Sequence, residues 1–226
     1  IHVDQHFLTY RENSGEMFAA NDGGIYSTTD QGETWEYRSN GMSITQFYRI
    51  GCDKSNPDRI AGGCQDNGTR ICLNGEWFQT GTADGMECMF DYSDPSIGYC
   101  SKQYGTIGKV FDDGSKAVWE TILSSQTTNE YAPWVTAFTL DPVNPEIIYA
   151  GHSNVWKSTN RGSNWRKMSN FTGSQGVNCI VAAPSDPNVI YACTSYQIYR
   201  TIDGGGTWTR IITDPSEISY IAVSHD

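Results

Sequence analysis

Ser27-Thr28-Thr29-Asp30-Gln31-Gly32-Glu33-Thr34-Trp35 is the stretch on which the reading of the whole chain turns. An Asp opening a turn accepts hydrogen bonds from backbone N–H groups ahead of it, a Gly supplies positive φ, and a Trp anchors the returning strand to its neighbour. The pattern recurs at 201–208 as T-I-D-G-G-G-T-W and, worn, at 158–165 as S-T-N-R-G-S-N-W, with Asn160 in place of the Asp. Working outward, Trp35, Trp77, Trp119, Trp165 and Trp208 follow one another at 42, 42, 46 and 43 residues. That period is in the range of four-stranded propeller blades. A second series runs out of phase with the first: S-N-P at 55–57, S-D-P at 93–95, V-N-P at 143–145 and S-D-P at 185–187. Two turn signals per period mean two hairpins per period.

Composition agrees. The 226 residues are 38% hydrophobic and 12% aromatic with 23 glycines, which suits a turn-rich all-β domain and predicts no long helix. A formal net charge of −11 argues against nucleic acid and anionic membrane surfaces, both of which require a basic face. No apolar run is long enough to form a membrane-spanning helix. The chain opens at Ile1 without an initiator Met or a signal peptide, so it reads as a mature form or an excerpt.

Seven cysteines are many for a reducing compartment. Cys88 and Cys100 are symmetric about Asp94, and Cys179 and Cys193 about Asp186, so hairpin pairing would set each pair opposite one another. Bridges Cys88–Cys100 and Cys179–Cys193 are therefore expected, with Cys64 and Cys72 similarly placed about Gly68 and Cys52 single. The alternative is that all are buried small hydrophobes. No C-x-x-C zinc pattern is present.

The repeats divide the chain at approximately 1–40, 41–81, 82–123, 132–170 and 175–213, with 217–226 opening another. The first carries strands over 2–10, 15–20, 24–28 and 35–38. The third turn is decayed in the second repeat (C-L-N-G-E-W) and in the third (Asp112-Asp113-Gly114), and 123–133 is the longest inter-repeat loop. The run I-S-Y-I-A-V at 218–223 reads as the first strand of a sixth repeat. Since repeat one already has its own first strand, that strand has no vacancy to fill, and the chain reads as part of a larger propeller.

These residues resemble the Asp-box (BNR) repeat β-propellers, over all five repeats. Full boxes stand at Thr28-x-Asp30-x-Gly32-x-Thr34-Trp35 and Thr201-x-Asp203-x-Gly205-x-Thr207-Trp208, and the worn copy uses Ser158, Asn160, Gly162 and Trp165. The resemblance implies an all-β propeller of four-stranded antiparallel blades, incomplete here, from a ring of about seven. It specifies architecture rather than activity, since boxes of this kind occur in sialidases, xyloglucan-cleaving hydrolases and sortilin-type receptors. The boxes themselves are expected to be scaffolding.

In a propeller the start of each blade's first strand and the loop joining its second and third strands share one mouth. That gathers Asp4, Asn21, Asn67, Asp84, Tyr104 and Trp134 as candidate ligand contacts, with His2 and His152 beside them. His2, Asp4 and His6 alternate along one predicted strand, which suggests either a ligand site or a hydrogen-bonded ladder. A complete metal-ligand set is not identifiable, so no metal and no cofactor is expected. Asn21-Asp22-Gly23-Gly24-Ile25-Tyr26 is similar to the D-x-G-G-x-Y stretch of the xyloglucan-cleaving propeller hydrolases, with one residue fewer after the Asp. The resemblance implies catalytic carboxylates at Asp22 and, by position in the next blade, at Asp66. Those enzymes place the partner Asp on a second propeller, which this chain lacks. The competing reading is that both aspartates stabilise tight glycine-containing loops as Asx turns. A sialidase would need an F/Y-R-I-P motif, but Tyr48-Arg49-Ile50 is followed by Gly51.

The expected function is glycan recognition by a secreted or cell-surface, glycoside-hydrolase-like propeller, with an extracellular protein-binding or adhesion module as the alternative. Two N-x-T triplets, at Asn67 and Asn170, add little to this.

Overall fold

The computed structural model describes residues 1–226 except 43–44, 74, 95, 113–115, 173–174, 214–216 and 225–226. Among the described residues the chain forms five four-stranded antiparallel sheets, each in up-and-down order. The first contains β1 (Gln5–Tyr10), β2 (Met17–Asn21), β3 (Gly24–Thr28) and β4 (Glu36–Tyr37). The second contains β5 (Phe47–Cys52), β6 (Ile60–Cys64), β7 (Gly68–Leu73) and β8 (Glu76–Thr80). The third contains β9 (Gly85–Phe90), β10 (Ile97–Lys102), β11 (Thr106–Asp112) and β12 (Ala117–Leu123). After a short helix, α1 (Ser125–Thr128), the fourth contains β13 (Phe138–Leu140), β14 (Ile148–Gly151), β15 (Val155–Ser158) and β16 (Arg166–Lys167). The fifth contains β17 (Cys179–Ala183), β18 (Asp186–Cys193), β19 (Gln197–Thr201) and β20 (Thr209–Thr213). Ile1–Gln46, with the first sheet, forms one compact unit, and Phe47–Asp226, with the other four, forms a second.

Within the second unit apolar side chains bind sheet to sheet. Ala61, Ile71 and Leu73 pack on Cys88, Phe90, Cys100 and Val110 between the second and third sheets. Tyr99, Ile107 and Leu123 meet Phe138, Ile148 and Ala150 between the third and fourth, and Tyr149, Val155 and Met168 meet Val177, Ile180 and Ile190 between the fourth and fifth. Central strands buried on both faces read as near-continuous apolar runs, which is why I-I-Y-A and V-I-Y-A lack alternation.

The quoted turn closes as its chemistry requires. Asp30 Oδ1 accepts from Thr28 Oγ1 (2.7 Å) and Thr34 N (2.9 Å), and Gly32 N donates to Thr28 Oγ1 (3.0 Å). Asp203 repeats this with Thr201 Oγ1 (2.7 Å) and Thr207 N (2.8 Å), while Gly205 N donates to Thr201 Oγ1 (2.9 Å). In the worn copy Asn160 Oδ1 accepts from Ser158 Oγ (3.0 Å) and Asn164 N (2.9 Å). Gly32, Gly162 and Gly205 all have positive φ. The tryptophans differ in reach. Trp35 Nε1 donates to Gly32 O of its own turn, whereas Trp165 Nε1 reaches Ile122 O (2.8 Å) and Trp208 Nε1 reaches Met168 O (2.9 Å) in the preceding sheets.

Several expectations are corrected. The first strand begins at Gln5, and His6 sits in a bulge where the register jumps from Gln5↔Asn21 to Phe7↔Ala20, so His2, Asp4 and His6 do not share a strand face. The 123–133 segment contains helix α1, capped by Ser124 Oγ accepting from Thr127 N and closed by left-handed Asn129. Residues 218–223 form no ladder, although Ile218 N donates to Ser195 O (2.7 Å) and Ser219–Val223 line a 390 Å³ cavity with β5, β9, β13 and β17. Asp113, Gly114 and Pro95, invoked as turn residues, lie outside the described residues.

The two expected bridges are absent. Cys88 pairs with Cys100 and Cys179 with Cys193 in register, yet all seven cysteines are free thiols. A hydrogen bond donated by the Cys88 thiol to Cys100, together with burial, holds Cys88 protonated, while burial pushes Cys193 up to about 12. Cys64 and Cys72 are not opposed either. The hairpin closes at Cys64↔Gly68, centred on Asp66, which sets Cys72 two residues away from facing Gly62, the partner of Arg70.

Candidate functional site

In the first unit the loop between β2 and β3 is built on Asn21. Its Oδ1 accepts from Gly23 N (3.0 Å), and its Nδ2 donates to Gln5 Oε1 (3.2 Å). The Asx turn foreseen for Asp22 is thus made by Asn21, and Asp22 instead pairs with His6. The bulge in β1 turns His6 toward that carboxylate, the re-aiming that bulges commonly perform. Gly23 is required by close approach, since a Cβ there would lie 2.7 Å from His2 Cβ. Asp4 is exposed in the bend before β1.

In the second unit the mouth loops are joined by a chain of backbone bonds. Asp66, with φ 58, donates its N–H to Asp84 Oδ1 (2.8 Å), and Gly68 N donates to Ala83 O (2.7 Å). Asp84 exchanges two bonds with Gln103: its N–H donates to Gln103 Oε1 (3.1 Å), and Gln103 N donates to Asp84 O (3.2 Å). Asp84 is buried and ties these loops together. Asn67 Nδ2 donates to Gln65 O (3.0 Å), which keeps its amide within the turn.

Next to Gln103, Tyr104 adopts φ 59 and donates its N–H to Trp134 O (3.3 Å). The Tyr104 and Trp134 rings meet edge to face at 4.9 Å and 81°. Trp134 Nε1 reaches Tyr48 Oη (3.3 Å), which adds a third ring. At 53% and 39% exposure, Tyr104 and Trp134 keep open ring surface at this mouth.

Three participants escaped sequence reasoning. Tyr48 was visible only as part of a failed Y-R-I-P match. Glu87 projects into the 390 Å³ cavity, where burial pushes its carboxyl up against the opposing pull of Arg49, 3.7 Å away. Its signal is a lone charge within the apolar run M-E-C-M-F. His152 was noted only as a polar mouth residue, but it is fully buried, with Nε2 on Gly105 O (3.1 Å) and Nδ1 on Thr128 Oγ1 (2.7 Å).

No family model matches the chain. A xyloglucanase from Paenibacillus sp is 26% identical over 107 residues, covering 38% of this chain and 10% of that protein. Among solved structures, an ancestral GH74 enzyme matches with a TM-score of 0.58 at 18% identity, over 93% of this chain and 31% of its own. The GH74 xyloglucanase from Xanthomonas campestris matches with a TM-score of 0.53 at 16% identity, over 87% and 36%. The fold is that of a β-propeller. At such identities the structural likeness speaks for the fold alone, and the chain spans about a third or less of the length of these relatives.

Proposed function

We propose that this propeller binds a β-glucan-type glycan at the mouth formed by the loops between second and third strands, as part of a glycoside-hydrolase-like protein. The observation that carries this reading is the Tyr48–Trp134–Tyr104 ring set, tied through Gln103 and Asp84 to the loop holding Asp66. Partly exposed aromatic faces stack on sugar rings, and nearby carboxylates and amides bind hydroxyls. The xyloglucanase relative favours a xyloglucan-like ligand. Glycosidic cleavage needs two carboxyls, one on each side of the bond. Asp22 in the first unit, paired with His6, and Asp66 in the second are each a candidate for one such carboxyl. We further propose that the protein is exported, a setting in which a polymeric glycan is met.

Titration with xyloglucan oligosaccharides, followed by tryptophan fluorescence, tests the binding. Trp134→Ala should weaken it about tenfold. Asp22→Asn and Asp66→Asn should abolish any cleavage while leaving binding nearly unchanged. No saturable response to any β-glucan oligosaccharide in the wild-type protein would sink the reading.

A further inference from the structure

His152 is not needed to close its own blade, yet it ties three segments together. Its buried ring lies between Gly105 O, at the end of the loop that carries Tyr104, and Thr128 Oγ1, at the end of α1. Its carbonyl accepts from Val177 N (2.8 Å) at the entry to the fifth blade. A carbonyl can only accept, so Nε2 must carry the proton toward Gly105, which leaves Nδ1 to accept from the Thr128 hydroxyl. Gly105 sits so close that a Cβ there would lie 2.7 Å from His152 Nε2 and 2.5 Å from Ala132 Cβ. The contact therefore clamps the residue following Tyr104, whose φ of 59 is strained for a bulky side chain. Releasing that clamp lets Tyr104 relax out of the left-handed region and away from Trp134.

We propose that His152 is the positioning residue of the aromatic mouth, its Nε2–H holding Tyr104 against Trp134 through the Gly105 carbonyl. The proposal rests on the glycan-binding reading of that mouth.

The titratable and charged groups around the ring are few. Tyr104 comes from the loop, and the segment after α1 brings the Glu130 carboxylate, held by Lys167 of β16 at 2.9 Å. Burial lowers the imidazole pKa, against the opposing pull of the Gly105 bond and Glu130. The neutral form therefore persists below the usual histidine range, and because Nε2 carries a proton in both forms the bond to Gly105 survives protonation. Protonated Nδ1 would point a hydrogen at the Thr128 hydroxyl, forcing that hydroxyl to turn its own proton to Ser124 O (3.3 Å) or Ser125 O (3.4 Å).

The experiment measures xyloglucan-oligosaccharide affinity from pH 8 to pH 4.5 in wild type, His152→Gln and His152→Leu, together with the proton NMR cross-relaxation between the Tyr104 and Trp134 rings. Wild type should keep the ring contact across this range, since Nε2 donates to Gly105 in either protonation state. Gln retains a side-chain N–H donor, so His152→Gln should bind nearly as wild type and keep the ring contact. His152→Leu should bind about fivefold more weakly at every pH and lose the ring contact while staying folded by circular dichroism. An intact ring contact in His152→Leu, or one that fades in wild type toward the acid end, would overturn the assignment. If no variant binds the oligosaccharide but the ring contact still follows residue 152, the glycan reading fails and the positioning role stands.

Discussion

At the scale of single residues, the aspartates of the recurring turn act as acceptors for donors that only an ionised carboxylate satisfies fully. The Thr28 hydroxyl, with Thr34, holds Asp30 down at about 2, and the Thr207 backbone N–H, with the Thr201 and Thr207 hydroxyls, holds Asp203 there too. A depressed folded pKa means stability that is present above the unfolded value near 4 and lost as pH falls toward 2. Asn160 shows that an amide oxygen can fill the same place without titrating. An Asp30→Asn/Asp203→Asn variant should therefore melt below wild type at pH 7, and the gap should close between about pH 4 and pH 2. Parallel thermal melts across that range check it, and a constant gap would refute the ionic contribution. The thiols make a second case. Only Cys52 is exposed, and burial raises Cys64, Cys88, Cys179 and Cys193. Since the thiolate is the reactive form, a disulfide reagent should titrate one thiol quickly in the native protein and seven after denaturation without reductant. Fewer than seven would restore the bridges expected from hairpin symmetry.

At the scale of elements, the connection between the first two strands is a double Asx turn in the second, third and fourth blades. Asp53 Oδ1 accepts from Ser55 N (2.8 Å), Asp91 Oδ1 from Ser93 N (2.8 Å) and Asp141 Oδ1 from Val143 N (3.0 Å), each four residues before the proline. One of these turns is also an inter-blade lock: Arg161 Nε, on the worn turn of the fourth blade, donates to Asp91 Oδ2 (3.0 Å), while its Nη1 meets Glu146 (2.7 Å). Asp91 is fully buried, so Arg161→Met strands its charge and should cost about 3 kcal/mol, whereas Arg161→Lys should recover only part of that. Urea melts of the two variants measure it, and a loss below about 1 kcal/mol would make the pair an ordinary surface contact. The turns were legible in sequence because their bonds close within a few residues. The Asp at four before proline was missed because only the S-N-P and S-D-P triplets were read as signals. Arg161–Asp91 was not legible at all, because 70 residues separate the partners and nothing local marks their meeting. Tyr48 and His152 were missed as site residues for the same reason, since each owes its role to a contact across blades. Asp22 and Asp66 were found through their glycine-rich loops, but that context could not show that Asn21 makes the turn and leaves Asp22 to His6.

At the scale of the molecule, period gives blade number and order, while inter-blade distance is set by residues that look featureless in sequence. The second unit brings the backbones of neighbouring blades together at glycines. A Cβ on Gly63 of β6 would lie 2.1 Å from Met86 O and 2.3 Å from Met86 N of β9, and one on Gly51 of β5 would lie 2.2 Å from Cys88 O. These neighbours are main-chain atoms that cannot rotate away, and the core between the two sheets, from Ala61 and Ile71 to Cys88 and Phe90, is built at that spacing. Gly63 has no positive φ, so an alanine there meets no backbone penalty of its own, and any loss belongs to the separation of the blades. Gly63→Ala should therefore cost at least about 3 kcal/mol, the level reserved for overpacking against fixed neighbours. Gly75→Ala, at a turn where no atom lies within 4 Å, supplies the contrast: its φ of 82 should cost about 1 kcal/mol and leave the core intact. If stability in the second unit is carried between neighbouring blades, as in stacked repeats, Gly63→Ala should also speed hydrogen exchange in β10 and β11 of the third blade. Exchange that quickens only within β6 and its hairpin partners would show each blade standing on its own.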